Sequence, residues 1–175
     1  MPEISLNILD VAENSTRAGA SFIRITVDIQ PETDRLTVII TDDGCGMTSE
    51  QLERVTDPFY TSRTTRKVAA ESTGGSFQME SEPGKGTTVT AVFALGHIDR
   101  MPLGDMTATI HTLILGHPDT DFLYRYRYRQ NEFTLDTREM REILGGVPFD
   151  APEISNYIRD YLTENKLETD GGAVY

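Results

Sequence analysis

The stretch Thr41-Asp42-Asp43-Gly44-Cys45-Gly46-Met47 (TDDGCGM) sets two carboxylates against a Gly-x-Gly, directly after the apolar run Leu36-Thr37-Val38-Ile39-Ile40. Three readings compete: a metal loop, a nucleotide pocket and a simple turn. A calcium loop needs oxygen ligands at alternate positions and a closing carboxylate, and Cys45, Met47 and Thr48 do not supply them. A turn accounts for the stretch taken alone, because Gly44 and Gly46 permit positive φ and aspartate accepts local backbone hydrogen bonds.

The flanking sequence supplies the context. Residues 22–29 and 35–40 read as strands joined by the turn-like Gln30-Pro31-Glu32-Thr33-Asp34, which predicts a hairpin. Before it, residues 5–16 carry Leu6, Leu9, Val11 and Ala12 at roughly helical spacing, and Ala18-Gly19-Ala20 stops that helix. Asp10 and Asn14 lie four apart on it, so their side chains share one face and can hold an ion or a water; a solvated polar face is the plainer account of the pair. After the stretch, Thr48 begins a short helix as a hydroxyl cap, and Asp57-Pro58 ends it. Residues 77–81 and 87–93 form a second strand pair across Glu82-Pro83-Gly84-Lys85-Gly86.

The composition shifts after Leu95, and residues 97–104 read as a linker to a second unit. Asp105 caps a helix through Leu115, with Met106, Ile110, Leu113 and Ile114 inward and Gly116 closing it. Phe122, Tyr124, Tyr126 and Tyr128 alternate with Leu123, Arg125, Arg127 and Arg129, a period-2 strand with an aromatic face and a largely basic one. Asp136 with Glu139, and Asp150 with Glu153, have capping-box spacing, the second opening a stripe of Ile154, Tyr157, Ile158, Tyr161 and Leu162. The tail is therefore α-β-β-α-α, with residues 168–175 expected to fray.

Composition narrows the function. The chain has 175 residues, a net charge of −12 and one cysteine, Cys45. No intrachain disulfide or thiolate zinc cluster can form, which fits a reducing compartment. No basic leader or run of about 18 apolar residues occurs, so neither secretion nor membrane spanning is encoded, and a cytoplasmic protein is expected. The negative charge repels a phosphate backbone, so nucleic acid is a poor partner; the tyrosine and arginine alternation reads instead as tyrosines inward with arginines paired to acids. His97, His111 and His117 lack metal-ligand spacing and read as ordinary histidines, and Cys45 as a small filler.

The order of the pieces adds what no single motif carries. D-V-A-E-N-S-T-R-A-G-A on a helix, two strands, D-D-G-C-G-M, D-P-F-Y-T-S-R and G-K-G-T-T-V opening a strand together resemble the histidine-kinase-like ATPase superfamily. That superfamily includes sensor-kinase ATP domains, anti-sigma-factor serine kinases and the ATPase domains of mismatch-repair and chaperone proteins. The resemblance spans residues 5 to about 95. It implies an α/β (α+β) two-layer sandwich, a mixed sheet with helices on one face, over residues 1–96, plus an accessory α+β unit at 97–175. It also implies ATP or ADP with Mg2+ as cofactors.

By that resemblance, Asn14 would ligate the magnesium bridging the phosphates and Asp42 would accept the adenine amino group. Gly44 and Gly46 would let backbone approach the base, Met47 would pack on the ring, and Thr87 would share the adenine-side network. Phe59 falls in the cofactor-binding set through D-P-F-Y-T-S-R. Arg17 stands where sensor kinases carry a basic residue near the phosphates. Asp10 occupies the catalytic position, where hydrolysing members have a glutamate; aspartate is one methylene shorter, which puts hydrolysis in doubt, and Glu13 sits about 100° round the helix from Asn14.

A further departure lies between Phe59 and Gly74. The family has a glycine-rich lid and a crossover helix there; this sequence has no glycine before Gly74, and a lid segment is expected to be missing between residues 68 and 69. The run from Thr61 to Lys67 offers point charges for phosphate, or is simply a solvated loop. The leading expectation is a regulatory ATP-binding protein with kinase or slow ATPase activity, acting on another protein, an anti-sigma antagonist being one candidate. The alternative is a non-catalytic nucleotide-sensing or protein-interaction module.

Overall fold

The computed structural model describes residues 2–55, 58–59 and 75–175. Helix α1 (Ile4–Arg17) leads into β1 (Phe22–Gln30), a 3-10 turn (Pro31–Thr33), β2 (Arg35–Asp42) and a short α2 (Ser49–Glu53). Then come β3 (Ser76–Glu82), β4 (Gly86–Ala94), α3 (Met106–Gly116), β5 (Asp121–Tyr128), β6 (Asn131–Asp136), α4 (Thr137–Leu144) and α5 (Pro152–Asp170). The six strands make one mixed sheet in the order β3-β4-β2-β1-β5-β6, antiparallel throughout except for β1 beside β5.

Alternation along each strand sets the layers, because successive side chains of a strand point to opposite faces. Ile23, Ile25, Val27 and Ile29 of β1, Leu36, Val38 and Ile40 of β2, and Phe122, Tyr124 and Tyr126 of β5 share a single buried face. Against it pack Ile4, Ile8, Val11 and Ala12 of α1, Met106, Ile110 and Leu113 of α3, and Ile158 and Leu162 of α5. Each fully buried aliphatic side chain contributes about 1.5–3 kcal/mol. The opposite face is polar, with Arg24, Thr26 and Asp28 alternating along β1. This is the two-layer arrangement that the resemblance implies.

Several local expectations change. Leu6 is 47% exposed; it lies about 200° round the axis from both Ile4 and Ile8, which carry the buried stripe in its place. Tyr157 is 55% exposed for the same kind of reason, while Ile158 and Leu162 beside it are buried. Asp150 does not cap α5: the N-cap is Ala151, held extended before Pro152 at the first helical turn. Thr48 forms the expected cap as a full capping box with Gln51. The helix it starts ends at Glu53, and Asp57 lies outside the described residues.

The C-terminal segment is docked rather than frayed. Asp170 is buried, and its Oδ2 accepts from Tyr126 Oη at 2.7 Å and Lys166 Nζ at 2.6 Å. Leu103 N donates to Tyr175 O at 2.7 Å, and the Tyr175 hydroxyl meets that of Tyr128 at 3.2 Å. Burial first, and then the Asp170 carboxylate, push the Tyr126 phenol well above its ordinary range. Residues 97–175 join the rest in one sheet: β5 runs beside β1 from Phe22 opposite Asp121 to Ile29 opposite Tyr128.

Candidate functional site

A cavity of about 280 Å3 opens between α1, the end of β2, the loop after it and the β3-β4 hairpin. Its apolar walls include Val11, Ile40, Met79 and Val89, and its polar groups are Asp42, Thr87, Ser15 and Asn14. Asp42 closes β2, so its carboxylate leaves the sheet just where the backbone stops pairing. Two donors brace it: Ser15 Oγ at 2.6 Å to Oδ2 and Gly44 N at 2.9 Å to Oδ1. Ser15 Oγ also lies 3.2 Å from Val11 O. A hydroxyl has one proton, and the shorter, charge-assisted contact takes it. Two of the four acceptor positions of Asp42 are thus used, which leaves two for a ligand donor.

The neighbouring carboxylate has a different task. Asp43 Oδ1 accepts from Ser21 N at 2.8 Å and Phe22 N at 3.0 Å, and Oδ2 from Ser21 Oγ at 2.6 Å. Burial raises its pKa, but these hydrogen bonds outweigh that and hold the carboxyl below the ordinary 3.8. Asp43 therefore ties the end of β2 to the start of β1, and Asp42 alone faces the cavity.

The loop is clasped by the hairpin. Gly84 N donates to Cys45 O at 2.7 Å and Met47 N to Ser81 Oγ at 2.8 Å. Gly46 has φ +69°, and a Cβ there would collide with the carbonyl oxygen of Glu82; one at Gly86 would collide with that of Asp42. Glycine is needed because backbone meets backbone with no room for a side chain.

The residues singled out from sequence divide into two sets. Asn14, Asp42, Gly46, Met47 and Thr87 line the cavity, and Gly44 braces Asp42 from behind. Arg17 is exposed, with Nη1 donating to Asn14 Oδ1 at 3.0 Å. Asp10 is exposed one turn before Asn14, outside the lining, with no hydrogen bond or ion pair among the described residues. Phe59 is buried and stacks edge-on against Phe93 at 5.6 Å, also outside the lining. Glu13 is turned away to His117 Nε2, 2.9 Å from its Oε2. The lid expectation and the run Thr61 to Lys67 lie outside the described residues.

Sequence reasoning missed Ser15 and Ser81. Ser15 sits four residues after Val11 on the buried stripe of α1, and Ser81 follows Phe77 and Met79 at period two on β3; both spacings were readable. Cys45 is exposed and unpaired. His111 meets Ser155 O at 3.1 Å and Oγ at 3.0 Å, and among the described residues no three His, Cys, Asp or Glu side chains cluster as a metal set.

Comparison with known proteins places the chain in a wider group. The family model described as "Histidine kinase-, DNA gyrase B-, and HSP90-like ATPase" matches residues 2–97, and the chain belongs to that family. Among individual relatives, it is 31% identical over 96 residues to the sensor protein kinase FleS of Pseudomonas aeruginosa, covering 50% of this chain and 24% of that protein. It is 34% identical over 102 residues to the sensor protein SrrB of Staphylococcus aureus, covering 50% and 17% respectively. The chain thus spans a quarter or less of these relatives. The ADP-complexed MutL ATPase domain of Aquifex aeolicus shares the fold, with a TM-score of 0.50 and 15% identity over 83% of this chain and 70% of that one. No helix among the described residues is long and apolar enough to cross a membrane.

Proposed function

We propose that the protein binds ATP or ADP in this cavity, as a regulatory nucleotide-binding protein with protein kinase or slow ATPase activity directed at another protein. The observation that carries the reading is Asp42: a braced carboxylate with two free acceptor positions, at the end of an apolar slot. Adenine offers an exocyclic amine to such a group, and Val11, Ile40, Met79 and Val89 offer its faces apolar contact. Met47 packs on the ring, and Gly46 brings backbone close to it.

Asn14, at the mouth, supplies an amide oxygen, the kind of ligand a hard cation accepts. Magnesium takes few protein ligands and completes its shell with water and phosphate, so a single Asn oxygen suits it where a cage of carboxylates is lacking. When bound, the ion would neutralise phosphate charge. Arg17 holds the Asn14 amide in place and adds a cation on the phosphate side. Asp10 stands where a carboxylate would orient an attacking water.

A second reading, a nucleotide-sensing or interaction module without phosphate transfer, draws support from two observations. Asp10 has no side-chain partner among the described residues to orient it, and Arg17 already takes one of the two lone pairs of the Asn14 oxygen and sets a positive charge beside the place a cation would need. Calorimetric titration with ADP tests the shared core of both readings. Wild type is expected to bind, and Asp42→Asn to weaken binding roughly a hundredfold, since it removes a charge-assisted partner. Equal affinity in the two proteins removes the basis of the proposal. Transfer of phosphate to a co-purified protein, or phosphate release, then separates the two readings.

A further inference from the structure

A second cavity, of about 880 Å3, opens between the starts of α1 and α3, one face of α5 and the C-terminal segment. It shares no lining residue with the cavity around Asp42. Its charged groups come from separate elements. Glu3 is the N-cap residue of α1 and Asp105 that of α3, whereas Arg159 and Lys166 lie seven apart on α5 and so share a face.

The acids gather at one end. Gly104 has φ +82°, and a Cβ there would meet Glu3 Oε2, so the Glu3 carboxylate lies against the residue that precedes Asp105. Both carboxylates accept from neutral donors only, Glu3 from Ser5 Oγ at 3.3 Å and Asp105 from Ala108 N at 2.9 Å. The α5 wall is the converse. The Arg159 guanidinium has no hydrogen bond or ion pair among the described residues, so its five N–H donors are open to a ligand. Lys166 Nζ gives one donor to Asp170 Oδ2 at 2.6 Å and keeps two. All four charged groups line one cavity, yet among the described residues neither acid pairs with either cation.

A ligand of one sign would satisfy one set and be repelled by the other. A ligand with a positive and a negative end satisfies both, and the Arg159 fork matches a carboxylate in shape. Leu103, Met106 and Val174 add apolar wall for the body that joins the ends. We propose that this cavity binds an apolar amino acid or a short apolar peptide with both ends free, its carboxylate on Arg159 and Lys166 and its ammonium on Glu3 and Asp105. Small-molecule sites run to about 300–1,000 Å3, and a volume near the top of that range favours the peptide. The inference is independent of the nucleotide reading.

The test is calorimetric titration of the full chain with leucine, with trileucine, and with each of them blocked at one end, either N-acetylated or C-amidated. Trileucine is expected to bind with a Kd below about 1 mM, and each of its blocked forms about tenfold more weakly, since each loses a charge-assisted contact. Arg159→Ala is expected to weaken free trileucine about tenfold while leaving the amidated form unchanged. Asp105→Asn, which keeps a helix cap, is expected to weaken free trileucine likewise and to spare the acetylated form. Arg159 is exposed, so its replacement leaves the fold intact. Leucine binding as tightly as trileucine, with the same need for both ends, supports the site and assigns it to free amino acids. Blocked forms that bind as well as the free ones overturn the proposal, as does an Arg159→Ala variant with wild-type affinity, or wild type that binds neither leucine nor trileucine.

Discussion

The two ends of the cavity are built in opposite ways. At the closed end, Asp42, the Gly44–Met47 loop and the β3-β4 hairpin hold one another through bonds between distant parts of the chain, such as Ser15 to Asp42 and Met47 to Ser81. At the mouth, Asp10, Asn14 and Arg17 project from the exposed face of a single helix, and the one hydrogen bond among them spans three residues. The closed end is preorganised and can discriminate, because its groups need not rearrange when a ligand arrives. The mouth can rearrange, so whatever it binds must supply the ordering. A single cavity thus combines a rigid reader with an adaptable rim.

That contrast can be broken by mutation. The largest effect is expected from Asp42→Asn, described above, because among the described residues it strikes the one carboxylate that lines the cavity. Gly46→Ala comes next. It places a Cβ against the Glu82 carbonyl at a positive φ, and is expected to cost about 2–3 kcal/mol, or roughly 5–10 °C in Tm by thermal scanning. An unchanged Tm would mean the clasp yields, and the closed end is less rigid than its geometry implies.

Asn14→Ala sharpens the comparison. It is expected to weaken magnesium-ATP about tenfold while shifting adenosine binding less than about twofold, since only the former reaches the mouth. Equal losses for the two ligands would merge the ends into one unit. The smallest effect is expected from Asp43→Asn, read by urea unfolding across pH. The Asp43 carboxyl is held below 3.8, so its contribution is fully present above that value and is lost as pH falls through the lower folded value. Wild type should exceed the variant by about 1 kcal/mol at pH 7, the hydrogen bonds being near solvent, and the gap should close under acid. A gap that persists in strong acid would show that the carboxylate charge is not what clamps β2 to β1.

The sequence exposed the rigid end well and its supports poorly. TDDGCGM taken alone reads as a turn; its place in one pocket with Asn14 and Thr87 came from the resemblance carried by the order of the motifs, while strand alternation and the glycine pattern gave the strand and its end. Ser15 and Ser81 were overlooked because their partners lie 27 and 34 residues away, and a serine in a helix or strand carries no local sign of what it will meet. Asp170 shows the same limit: a polar tail looked free until Tyr126, 44 residues back, received it. The misplaced Leu6 and Tyr157 are phase errors in helices whose apolar stripe holds more than one consistent choice. The Asp43 clamp was hidden by its neighbour, since adjacent aspartates look equivalent until the strand end turns them apart.

The pairing of β5 with β1 has a consequence for the family region as a separable piece. β1 is an interior strand because β5 covers it along eight register pairs from Phe22 to Ile29. A chain cut after Leu95 would keep every residue around the cavity and lose that cover, leaving a long row of unpaired backbone N–H and C=O groups beside Ile23, Ile25, Val27 and Ile29. Such an open edge is a template for other strands. The C-terminal portion therefore covers a strand edge that the residues around the cavity, taken by themselves, would leave open.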